Sequence, residues 1–171
     1  AHELTIVSSS LAELEKTQKD FWNIARETGN FLNMLIKISG CKKGLEIGTS
    51  NGYSALWIAD ALQTTKGHLT TIEFWEKRQC LAREYIANCG LSEYVTFKIG
   101  QAYDIIKDEM QNDCYDMVFI DAAKGKYTFF LEQSLRLLNK TGIIFADNIL
   151  YKGYVMSDYN KHKQRTAVRN L

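Results

Sequence analysis

The sequence predicts an α/β protein built on a doubly wound, mainly parallel sheet with helices on both faces. Two observations predict it. Short apolar runs at 43–48, 68–73, 94–99, 115–120 and 142–147 alternate with longer amphipathic runs at 52–65, 75–89, 101–112 and 124–138. Strict βα alternation of this kind implies parallel strands joined by right-handed crossovers. The first unit also carries a glycine-bearing turn, Gly44-Leu45-Glu46-Ile47-Gly48-Thr49-Ser50-Asn51-Gly52-Tyr53-Ser54, between its strand and its helix. In open sheets such a turn is the usual place for a ligand.

Before the sheet, residues 10–39 are helical in character. Leu11, Leu14, Phe21, Ile24 and Ala25 follow helical spacing, and Phe31, Leu32, Leu35, Ile36 and Ile38 do so again. Thr28-Gly29-Asn30 is expected to separate two helices, with Thr28 or Asn30 as N-cap. Ser39-Gly40 is expected to close the second. A core over 43–150 and an incomplete tail over 151–171 complete one domain of 171 residues.

Composition narrows the classes of function. Hydrophobic content of 46% and charged content of 24% suit a soluble globular chain. A formal net charge of +1 gives no global case for nucleic acid or an anionic membrane. No apolar run approaches the roughly 20 residues of a membrane span, and Ala1-His2-Glu3-Leu4 shows no secretory leader. Cys41, Cys80, Cys89 and Cys114 lack C-x-x-C spacing and lie in or beside apolar runs, as reduced cytoplasmic thiols would. His2, His68 and His162 are scattered, so no zinc site is expected.

The turn at 44–54 fits neither common phosphate cradle. It lacks the third glycine of a dinucleotide fingerprint and the lysine of a Walker loop. An acid and a glycine ahead of the turn suit a ligand with hydroxyls and a cationic group. An unliganded turn is equally compatible with these residues alone.

Acids recur at the strand ends: Glu46 in strand one, Glu73 ending strand two, Asp121 ending strand four and Asp147-Asn148 ending strand five. The crevice of a parallel sheet lies beyond those ends. Glu73 stands where an acid takes ribose hydroxyls in nucleotide-binding sheets, or where it favours the start of the next helix. Asp121, Asp147 and Asn148 offer hard oxygens suited to Mg²⁺ or Ca²⁺, with N-capping as the alternative. Lys124, three residues beyond Asp121, is a candidate general base or a solvated lysine.

With these residues assembled, the chain resembles the class I S-adenosylmethionine-dependent methyltransferases, which have a Rossmann-like sheet. It is most similar to the cation-dependent O-methyltransferases of the catechol and caffeoyl-coenzyme A type. The resemblance runs from about Ile24 to Gly153 and is carried by T-G-N-F-L at 28–32, L-E-I-G-T-S-N-G-Y-S at 45–54, T-I-E at 71–73, F-I-D-A-A-K at 119–124 and A-D-N-I-L at 146–150.

The resemblance implies that Glu46, Gly48, Thr49 and Ser54 hold the methionine part of S-adenosyl-L-methionine. It implies that Glu73 takes the ribose, that Ala102, after Gly100, flanks the adenine, and that Ile24 touches the cofactor. Asp121, Asp147 and Asn148 would bind Mg²⁺, with Asp121 also beside the cofactor and Lys124 as base. Ala123 departs from the D-A-D-K of the caffeoyl-coenzyme A group and removes one acid.

The implied reaction is methyl transfer to a hydroxyl of a small catechol-like or phenylpropanoid molecule. No nucleic acid or membrane partner is implied, and a homodimer is left open. A nicotinamide-dependent dehydrogenase is the rival enzyme, disfavoured by the missing glycine. Amino-directed enzymes of the N-P-P-Y type are excluded because the chain has no proline. A catalytically silent protein that keeps the cofactor pocket is a third reading. The family continues past strand five with a helix and an antiparallel strand pair that would cover this sheet edge. Leu171 is therefore expected not to be the natural terminus.

Overall fold

The computed structural model describes residues 2–109 and 111–149 of the chain. Three helices precede the sheet: α1 (His2–Glu15), the short α2 (Gln18–Phe21) and α3 (Arg26–Ser39). Strands and helices then alternate as β1 (Lys43–Ile47), α4 (Tyr53–Thr65), β2 (His68–Glu73), α5 (Glu76–Asn88) and β3 (Val95–Ile99). They continue as α6 (Ala102–Glu109), β4 (Tyr115–Ile120), α7 (Tyr127–Leu137) and β5 (Leu138–Ala146). Among the described residues every strand pairing is parallel, and the spatial order is β3-β2-β1-β4-β5.

The central strands β1 and β4 are mostly apolar where both their faces are buried, with Glu46 the buried exception in β1. Met117 and Phe119 of β4 pack with α1, α3 and α4, while Val118 and Ile120 pack with α6 and α7. Side chains alternate along a strand, so one apolar run feeds two cores. The strand order reverses between β1 and β4, and the crevice of such a sheet opens at that point. Gly48 and Asp121, two of the candidate site residues, stand there.

Several boundaries differ from expectation. The N-terminal break falls at 22–25 and not at 28–30, which lies inside α3. Gly29 is a packing glycine: a Cβ there would meet Trp57 Nε1 at 2.3 Å. The N-cap of α3 is Ala25, and neither Thr28 nor Asn30 fills that role. Trp22 ends α2 in the left-handed region, with φ 56°. The helical content also begins earlier than residue 10, since α1 starts at His2.

Near the other end, a 3-10 turn over Lys124–Lys126 precedes α7. Strand β5 begins at Leu138 instead of 142, but its register against β4 is interrupted between Tyr115↔Leu138 and Met117↔Ile143. Asn139 Oδ1 accepts from Thr141 N at 3.0 Å, a local turn that occupies the interruption. The tail at 151–171, with the expected cover over β5, lies outside the described residues.

Cys41 and Cys89 are buried free thiols, and burial pushes the Cys41 thiol up to about 12. Among the described residues no helix is long and apolar enough to cross a membrane.

Candidate active site

The turn after β1 is set by backbone geometry. Gly48 has φ +106°, and a Cβ there would fall 2.1 Å from the Asp121 carbonyl oxygen. Only glycine allows that conformation and that approach between the ends of β1 and β4. Gly48 N and Thr49 N both donate to the Ile72 carbonyl, at 3.0 and 3.1 Å, which fastens the turn to β2.

Beneath the turn lies Glu46, fully buried. It accepts from Ser54 Oγ at 2.5 Å and from Thr71 Oγ1 at 2.6 Å. Thr71 Oγ1 in turn stands 2.5 Å from Thr49 Oγ1. Burial pushes the Glu46 carboxyl up to about 8, against the two hydroxyls and with help from the Asp121 and Glu73 charges. Glu46 does not reach the cavity wall; it acts on the turn through Ser54 and Thr71.

Glu73 closes β2 and binds backbone on both sides. Ser50 N donates to Oε2 at 2.7 Å and Trp75 N donates to Oε1 at 2.9 Å. The acid thus serves the start of α5 and also holds Ser50, whose φ is +50°. The Ser50 hydroxyl is buried and has no hydrogen-bond partner, and such an orphan marks a place where a ligand fits.

A cavity of roughly 440 Å³ opens at these strand ends, within the range of small-molecule sites. Its walls include Gly48, Ser50, Glu73, Ala102 and Asp121. A small adjoining recess brings in Ile24, Thr49 and Ser54 and shares Gly48, Ser50 and Asp121 with the main cavity. Gly100 stands behind the wall, donating its N–H to the Glu73 carbonyl at 2.9 Å.

On the β4–β5 side, Lys124 Nζ lies 3.2 Å from Asp121 Oδ1, 2.7 Å from Tyr127 Oη and 3.5 Å from the Asp147 carbonyl. Burial raises the Asp121 carboxyl; Lys124 opposes this and the Asp147 carboxylate adds to it. Asp147 N donates to the Ile120 carbonyl at 3.0 Å, which sets the two strand ends side by side. Asn148, with φ 58°, turns its Nδ2 onto Asp147 Oδ2. Lys124, Asp147 and Asn148 therefore adjoin the cavity through Asp121 without lining it.

Among the described residues no group of three or more His, Cys, Asp or Glu is placed for a metal. The available set is two repelling carboxylates, Asp121 and Asp147, with the carboxamide of Asn148. These are hard oxygen donors, and the exposed Asn148 amide can present Oδ1 by rotation. The set fits a divalent cation such as Mg²⁺. The cavity fits a nucleoside carrying an amino acid: it has an acid at one end, a glycine floor and an orphaned hydroxyl between.

Sequence reasoning missed three groups. Ser50 lay inside the quoted motif without a role. Phe21, Trp22, Phe74 and Trp75 form an aromatic rim on the cavity, and two aromatic pairs flanking the motifs were the available signal. Tyr127 stands three residues after Lys124, at helical spacing.

Residues 4–171 match the model of a family described as O-methyltransferase. The chain belongs to this family. It is 35% identical over 138 residues to a catechol O-methyltransferase of Niastella koreensis, covering 80% of this chain and 62% of that one. It is 36% identical over 155 residues to caffeoyl-CoA O-methyltransferase 1 of Zea mays, covering 86% and 60% respectively. The chain thus spans about three fifths of these relatives' lengths.

Among solved structures, the O-methyltransferase of Bacillus cereus in complex with SAH superposes with a TM-score of 0.84 at 28% identity, covering 96% of this chain and 76% of that one. The O-methyltransferase TomG of Streptomyces achromogenes, in complex with SAM, gives 0.83 at 27% identity, covering 94% and 73%.

Proposed function

We propose that this chain transfers a methyl group from S-adenosylmethionine to a hydroxyl oxygen of a catechol-like or phenylpropanoid molecule, with a divalent cation. One observation carries the proposal: a single cavity runs from Glu73 to Asp121, and Asp121 holds Lys124 at 3.2 Å. One end suits a nucleoside and the other suits acid–base work on an acceptor. The SAM-bound and SAH-bound neighbours and the catechol and caffeoyl-CoA relatives support the same assignment.

In this proposal Glu73 takes the ribose hydroxyls, Ala102 lies beside the adenine, and the recess of Ile24, Thr49 and Ser54 takes the methionine end. Gly48 and Ser50 supply its floor. Asp121, Asp147 and Asn148 hold the cation, and Lys124 takes the acceptor proton. S-adenosylmethionine supplies the methyl group, and the cation when bound favours the oxyanion of paired hydroxyls. A free phenol has a pKa of about 10, so acceptance of its proton by Lys124 Nζ in its unprotonated form raises the fraction of nucleophile. Holding the acceptor near Asp121 also removes a large part of the orientational cost.

Turnover of simple catechols and caffeoyl-coenzyme A, with S-adenosylmethionine as donor, tests the proposal. Methylated product is expected, and EDTA is expected to abolish it while SAH binding by calorimetry persists. Full turnover in EDTA would sink the metal role. SAH binding with no turnover on any acceptor would favour the catalytically silent protein.

A further inference from the structure

We propose that Tyr127 is a positioning residue whose hydroxyl fixes Lys124 and ties together the strand ends that carry Asp121 and Asp147. The inference rests on the reaction proposed above. The Tyr127 side chain is buried under the β4–β5 end of the crevice, and it enters neither the cofactor cavity nor its recess. Its hydroxyl nevertheless meets three polar groups: Lys124 Nζ at 2.7 Å, the Asp147 carbonyl at 2.9 Å and the Ile120 carbonyl at 3.2 Å.

A phenol has one proton and can accept as well. The proton goes to the nearer carbonyl, that of Asp147, and the oxygen accepts from Lys124. Ile120 precedes Asp121, and its carbonyl is also bonded by Asp147 N. The oxygen is therefore joined directly to the backbone at the end of β5 and to Lys124 Nζ, and to the end of β4 through the Asp147 N–H on the Ile120 carbonyl. The Lys124 nitrogen also lies 4.7 Å from the centre of the Tyr127 ring, so the ring itself limits where the chain can swing.

Without the hydroxyl, Lys124 keeps Asp121 at 3.2 Å and a long contact to the Asp147 carbonyl at 3.5 Å. Neither of these sets the nitrogen's direction as a short bond to a buried group does. The consequence is a displaced amine and a loosened Asp147, with the Glu73 end of the cavity untouched.

The test compares wild type with Tyr127→Phe in three readouts: kcat on catechol, SAH affinity by calorimetry, and the rate at which acetic anhydride labels Lys124, read by peptide mass spectrometry. Lys37 of α3, paired with Asp60 of α4 at 3.1 Å, is the internal control. The variant is expected to lose about 10- to 100-fold in kcat, the scale of a misplaced reacting group. SAH affinity and Lys37 labelling should hold while Lys124 labels faster.

Unchanged kcat, or unchanged Lys124 labelling, overturns the proposal. Equal acceleration at Lys37 also overturns it, because it would mean general loosening. If the variant does not fold, the wild-type protein decides: Lys124 must label more slowly than its exposed neighbour Lys126, and equal rates overturn the anchoring. Absence of wild-type turnover would count against the function proposed above, whereas the labelling would still judge the anchoring.

Discussion

The two ends of the cavity are built differently. At the β1–β2 end, each acid already has partners from the protein. Glu46 takes two hydroxyls, and Glu73 takes two backbone N–H groups. At the β4–β5 end, burial and then the Asp147 carboxylate raise the cost of ionising Asp121, and Lys124, bonded to Asp121, opposes them. The first end is preorganised by its own fold. The second leaves like charges to be satisfied by whatever binds there, as a site for chemistry requires. Under the proposed function, binding and reaction fall at different ends, and substitutions should separate them in measurement.

The largest expected effect is at the second end. Lys124→Ala should lower kcat by about 10²- to 10⁴-fold, the scale of a lost general base, with SAH affinity unchanged by calorimetry. Wild-type turnover in that variant at neutral pH would erase the contrast between the two ends. Glu73→Ala should do the reverse and weaken SAH by about 10- to 100-fold, because a ligand contact and two backbone anchors go together. Its kcat at saturating donor should fall far less than that of Lys124→Ala.

The smallest effect concerns stability and sharpens the claim that Glu46 works under the turn. Its carboxyl is raised from an ordinary value near 4.5 to about 8. Between those values the unfolded chain releases a proton that the folded chain keeps. Stability from this group is therefore present at low pH and lost as pH rises from about 4.5 towards 8. The Tm of wild type should fall between pH 5 and pH 8 by on the order of 5 °C, and Glu46→Gln should flatten that fall. A steeper fall in the variant would place the pH dependence elsewhere.

How much of this was legible depends on what each residue answers to. The sheet was readable because both faces of each central strand are buried, so Leu45-Glu46-Ile47 and Met117-Val118-Phe119 stand out as short runs. The gathering of Glu73, Asp121 and Asp147 at the crevice was readable because strand ends and the crevice coincide in this topology. The helix break was misread because Gly29 was taken as punctuation, whereas it makes room for Trp57. The real break, Trp22-Asn23-Ile24-Ala25, contains neither glycine nor proline. Ser50 and Tyr127 were not legible as site residues, since an orphaned hydroxyl and a three-way hydroxyl are properties of neighbours and not of spacing.

The contact between Gly48 and the Asp121 carbonyl has a consequence for how this protein can change. The cavity floor there is peptide backbone, and substitution can do little to reshape it without breaking it. The rim is the opposite: Trp22, Phe74 and Trp75 are 75%, 49% and 60% exposed, so replacing them disturbs little packing. Drift in what the crevice accepts is therefore channelled to its lip, where an altered side chain can admit a new molecule and leave the fold intact.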